Sequence, residues 1–95
     1  MNQFDRRQLE KMRQVIEAFK ENSIILSSFI SSMEFLFHAL ENVDDSWEEL
    51  FLEEISALES VNSGVPTTVT EETVKNIVSE SIFKLDKLVN DRLQM

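Results

Sequence analysis

A chain of 95 residues, 42% hydrophobic and with seven Phe and one Trp, can bury one small core but not two, and is too apolar to be disordered throughout. A single Gly and a single Pro argue against a β-sandwich, whose turns recur about every 8–12 residues, and the absence of Cys removes disulfides and thiolate metal sites. The net charge of −9 is gathered in residues 22–72, where eleven carboxylates meet no Lys or Arg; such a field repels nucleic acid and anionic membranes and attracts basic partners.

The first predicted element is a helix over about residues 5–21 of "DRRQLEKMRQVIEAFKE". Leu9, Met12, Ile16 and Phe19 recur at spacings of three and four and form one apolar stripe. Asp5 stands where an N-cap would, with Phe4 as a candidate hydrophobic staple. After it, Ile24-Ile25 reads as briefly extended, and a second helix over about 27–42 starts near Ser27. Phe29, Ile30, Met33, Leu36, Phe37 and Leu40 give this helix so wide an apolar circumference that it is expected to be central and the most buried.

A third helix is expected over 45–62, capped by Asp44 or Asp45, with Glu48 and Glu49 in a first turn where the helix dipole favours them. Its core stripe is Trp47, Phe51, Ile55, Leu58 and Val61. Gly64 suits the C′ position, and Val65-Pro66 blocks further helix. Thr70 caps a fourth helix over about 70–93, followed by Glu71 and Glu72. Val74, Ile77, Val78, Ser81, Ile82, Leu85, Leu88, Val89 and Leu93 make its face the most regular. The expected fold is therefore all-α, a four-helix antiparallel, bundle-like single domain over 1–95. No apolar run reaches the ~18 residues of a membrane span, and the N-terminus is too charged for a signal peptide, so a cytoplasmic chain that does not engage the membrane is expected.

Few residues carry chemistry. His38, the only histidine, lies in the apolar second helix without a second His or a Cys, and reads as a structural or boundary residue rather than a general base or pH sensor. Asp44-Asp45-Ser46 with Glu48-Glu49 fails the EF-hand pattern: the sixth position is Glu49 where Gly is required, and the twelfth is Ile55 where Glu is required. Paired carboxylates of a glycosidase need a walled cleft, and there is no phosphate loop, nucleophile elbow or HExxH. No catalytic residue, metal or cofactor is expected. Trp47 reads as core, although a half-exposed Trp beside Glu48 would be a binding anchor.

The densest feature is "ENVDDSWEELFLEEISALE", residues 41–59, with eight carboxylates and no cation. Polar outer faces account for some of them, because Glu is a good helix former. Asp45, Glu49 and Glu53, however, follow one another at i+4 on one side of the helix, where each like-charge pair costs about 0.2–0.5 kcal/mol and no Lys on the helix relieves it. That cost is understandable if the face meets a basic partner. The candidate contacts are Glu48, Glu49 and Glu53, supported by Asp44, Asp45 and Glu59.

Residues 36–61, "LFHALENVDDSWEELFLEEISALESV", also resemble a group of small helical bacterial proteins with an L-x-x-A-L-E-x-V-D-x-x-W stretch, a following helix with Phe and Leu-Glu, and a turn leading into T-E-E. The matching residues are Leu36, Ala39, Leu40, Glu41, Val43, Asp44, Trp47, Phe51, Leu58, Glu59, Thr70, Glu71 and Glu72, and the likeness spans about residues 24–90. The group is similar to immunity proteins of contact-dependent growth inhibition and related polymorphic toxin systems, which bind and silence a toxin domain, often a nuclease. Ile55 stands where the group tends to have a second aromatic, and Asn62-Ser63 where Tyr or Asn precedes Ala, which leaves the toxin type open. The resemblance implies a protein that silences a toxin domain, and the acidic charge excess added to it leads to the expectation of a basic, RNase-type toxin whose active site is occluded. A homodimeric or chaperone-like adaptor, paired through the apolar face of the fourth helix, is the alternative.

Overall fold

The computed structural model describes residues 2–64 and 70–94. Its four helices are α1 (Gln3–Lys20), α2 (Leu26–Ala39), α3 (Asp45–Asn62) and α4 (Glu71–Leu93), with no strand among the described residues. They form an all-α antiparallel bundle in which α1 packs on α2 and α4, and α3 packs on α2 and α4. The helices thus close a ring with no diagonal contact. This corrects the expectation that α2 is central: it has two neighbours, as every other helix does, and Phe35 on its outer face is 75% exposed.

The apolar stripes meet inside the ring. Leu9, Met12 and Ile16 of α1, Phe29 and Met33 of α2, Phe51 and Leu58 of α3, and Leu85 and Val89 of α4 are fully buried. Phe37 of α2 stacks on Phe51 at 4.7 Å between ring centroids, and Trp47 stacks on Phe51 at 5.3 Å, joining α2 to α3 through aromatic area. Trp47 is buried, and its Nε1–H donates to the Leu88 carbonyl at 3.0 Å, so the indole is a core element tied to α4.

The helix ends show why two boundaries differ from the sequence pattern. α1 begins earlier because Asn2, not Asp5, is its N-cap, the Asn2 side chain accepting from the Asp5 N–H at 2.7 Å. Phe4 consequently sits within the first turn, partly exposed, and not ahead of the helix as a staple would. Asp5 is fully buried and accepts from the backbone N–H groups of Glu41 (2.9 Å) and Asn42 (2.7 Å). Those N–H groups bond to this carboxylate instead of extending the helical ladder, and α2 ends at Ala39 where the apolar pattern ran on to 42.

α1 closes in a Schellman turn, Asn22 N–H bonding to Phe19 O and Ser23 N–H to Ala18 O, with Asn22 at φ 61°. Ile25 is extended and caps α2 without a side-chain hydrogen bond. Gly64, at φ 81° after the C-cap Ser63, takes the C′ place that a side chain would strain. Val65-Pro66 lies outside the described residues. Thr70 caps α4 and accepts from the Thr73 N–H at 3.2 Å. No helix among the described residues is long and apolar enough to cross a membrane.

Candidate functional site

At 100° per residue, α3 turns Trp47, Phe51, Ile55 and Leu58 inward and Asp45, Glu49 and Glu53 outward. All three carboxylates of this outer row are exposed, and among the described residues no Lys or Arg nitrogen is within salt-bridge reach of any of them. The remaining three candidates lie elsewhere. Glu48 and Glu59 occupy the flank of α3 that borders α2. Asp44 caps α3 at the bundle end, where its carboxylate accepts from Ser46 Oγ at 2.6 Å and from Arg92 Nη1 at 2.9 Å. The Ser46 hydroxyl first, then the backbone N–H groups of Asp44 itself and of Trp47, and last the field of the Arg92 guanidinium hold the Asp44 carboxyl below the usual aspartate value. The six residues therefore form a row of three, a flank of two, and one group already committed to the chain's own Ser46 and Arg92.

The charge balance on α3 also differs from what one helix alone predicts. Lys84 of α4 pairs with Glu80 at 3.1 Å and reaches Glu54 at 4.0 Å. Its ammonium is held above the ordinary lysine value by the Glu80 hydrogen bond first, then by the field of Glu54, with Glu53 contributing least. A cation from the neighbouring helix thus relieves the Glu53 end of the row. Glu54, read as one more member of the acidic block, is buried against α4.

On the α2 flank, the Glu59 carboxyl beside Glu34 pushes the Glu34 pKa above the ordinary glutamate value, with burial adding to the effect and His38 opposing it. Two carboxyls sharing so small a space favour retaining a proton. His38 itself is exposed, at the edge of the T-shaped contact that its ring makes with Phe37. Among the described residues no three His, Cys, Asp or Glu side chains converge as a metal site.

Sequence reasoning missed the Glu34–Glu59 pairing and the polar cluster of Asp5, Asn42, Asp44 and Arg92, because both join residues far apart in the chain. Arg92 donates to the Asn42 carbonyl at 2.8 Å as well as to Asp44, bringing the end of α4 onto the α2–α3 connection. No family model, curated protein or solved structure matches the chain.

Proposed function

We propose that this chain is a cytoplasmic immunity protein that binds a cognate toxin domain, basic and of RNase type, and blocks its active site with the outer face of α3. The observation that carries the reading is the row Asp45, Glu49 and Glu53: exposed, successive at i+4, and without a salt-bridge partner among the described residues. An RNase holds phosphates with Lys and Arg, and a rigid helical row of carboxylates presents the same charge to those side chains. Complementary fields speed the encounter and set its register, while desolvated anchors supply most of the affinity. Leu50 and Leu52, both exposed on α3, are the apolar groups placed to do so. Glu48 and Glu59 act at the rim. Asp44 contributes least, because Ser46 and Arg92 already hold it. The class of partner comes from the resemblance over residues 36–61; the face comes from the charge pattern.

The adaptor alternative relied on α4 offering its apolar face to another chain. That stripe, Ile82, Leu85, Val89 and Leu93, is turned into the chain's own core, leaving Phe83 as its large exposed apolar residue.

The test is capture of the C-terminal domain encoded by the gene immediately upstream, at low and at high salt. Tight capture that weakens with salt, and that Glu49→Lys with Glu53→Lys abolishes, is the expected result. Capture that these two reversals leave intact would remove the face assignment, and no capture at low salt would remove the immunity reading.

A further inference from the structure

The face centred on α2 has a charge order that a second copy of itself can complement. α2 lies between α1 and α3 in the ring and does not touch α4. On the α1 side stand Arg7 and Lys11, both exposed, one turn apart on one side of the helix, and with no salt bridge among the described residues; of the other α1 cations, Arg6 and Lys20 are paired, with Glu10 and Asp86, and Arg13, likewise without a salt bridge, lies about 200° round the helix from Lys11. On the α3 side stand Glu48, Leu52 and Glu59. Between these flanks rises Phe35, 75% exposed, beside a groove of about 540 Å³ whose lining includes Lys11, Val15, Ser31 and Ser32. Across α2 the order is therefore cation, aromatic knob with adjoining groove, carboxylate.

We propose that this face is a homodimer interface, with the two copies related by a two-fold axis running along α2. Symmetry selects that axis. A two-fold axis parallel to α2 lays the α1 flank of one copy over the α3 flank of the other, and does so twice. A two-fold axis across α2 would set cations on cations and carboxylates on carboxylates. An axis parallel to the helix also preserves height along the bundle, and the heights agree. Lys11 lines the same groove as Phe35, while Glu59 lies beside Glu34, the neighbour of Phe35 in the chain. Lys11 of one copy thus comes level with the Glu34–Glu59 pair of the second, a pair crowded enough that a cation beside it removes a standing repulsion. Each Phe35 enters the apolar groove opposite, and the Ser residues around it let the two helices approach closely. Such an interface is isologous and closes at two chains.

This inference goes beyond the toxin-binding reading: the outer row Asp45, Glu49 and Glu53 lies off this face, the flank residues Glu48, Leu52 and Glu59 are shared by the two readings, and its test needs no toxin. The experiment is analytical ultracentrifugation of the isolated full chain over a concentration series at low and high salt, with circular dichroism to establish that each variant is folded. The expected result is a monomer–dimer equilibrium weakened by salt. Phe35→Ser should weaken it about tenfold or more, since a central aromatic anchor is lost, and the exposure of this side chain leaves the fold intact. Lys11→Glu should weaken it too, and adding Glu59→Lys to Lys11→Glu should restore it by exchanging the charges of one cross-copy pair. A monomer at every concentration in low salt would overturn the proposal. So would a dimer indifferent to Phe35→Ser, or a Lys11→Glu dimer that Glu59→Lys fails to rescue. These sedimentation results are read without toxin, so failure of the dimer and failure of the toxin capture are separate outcomes.

Discussion

Carboxylates meet two fates in this molecule. At the bundle end Asp44 is held by Ser46 and Arg92, and close by Asp5 is buried against the N–H groups of Glu41 and Asn42. One residue beyond Asp44, on the outer face of α3, Asp45 begins a row of exposed carboxylates that no Lys or Arg among the described residues reaches as a salt bridge. Asp44 and Asp45 are neighbours in the sequence, and what separates them is whether a donor reaches the carboxylate. An acidic block is thus a mixture of structural and available charge, and only the second kind is open to a partner.

The strongest way to sharpen that contrast is Asp5→Ala. It leaves two backbone N–H groups of the α2–α3 connection without their acceptor, and should cost about 2–3 kcal/mol of stability in urea denaturation followed by circular dichroism. A cost near zero would mean that water replaces the carboxylate and that the connection is not tied through it. Arg92→Met, which removes the donor to the Asn42 carbonyl and to Asp44, should cost about 1–2 kcal/mol in the same measurement. The outer row should behave oppositely. Glu49→Lys removes its repulsion with Asp45 and Glu53, so stability should stay within about 0.5 kcal/mol of the parent and tend upward, while binding of a basic partner suffers. A large destabilisation there would show that the row is structural after all.

The smallest expected effect is one of sign with pH. Asp44 has its folded pKa lowered, so its contribution is present above the ordinary aspartate value of 3.8 and is lost as pH falls through the folded value. Glu34 has its folded pKa raised, so its contribution is full below the ordinary glutamate value of 4.5 and is lost as pH rises through the folded value. Glu34→Gln should therefore be more stable than the parent at neutral pH, with the advantage vanishing in acid. Asp44→Asn should be less stable at neutral pH, with the deficit vanishing in acid. Urea midpoints across a pH series read both, and parallel curves for the two variants would contradict the assignment of either shift.

The helices were legible because each carries an apolar stripe at helical spacing with punctuation around it. Thr70 and Gly64 announced their ends through chemistry local to the turn. The end of α2 was not legible, since the group that ends it, Asp5, comes from the start of the chain, and nothing near Leu40 shows that the next two N–H groups bond elsewhere. The same limit divides the candidate site. Its outer row follows from spacing on one helix. The compensation by Lys84 and the capture of Asp44 by Arg92 depend on α4, some thirty to fifty residues downstream. The exposure of Phe35 escaped notice for a related reason: on a helix with apolar residues round most of its surface, only packing decides which one is left out.

The burial of Trp47 has an optical consequence. It is the only Trp in a chain that contains no Tyr, and it is enclosed by Phe37, Phe51 and a hydrogen bond to α4. Near-ultraviolet emission from this protein therefore arises from a single sealed indole in the core, facing away from the carboxylate row. Its colour reports whether the bundle is closed and is insensitive to what rests on the outer face of α3. A surface variant that loses its partner while emission stays blue has lost contacts; one whose emission shifts to the red has lost its fold.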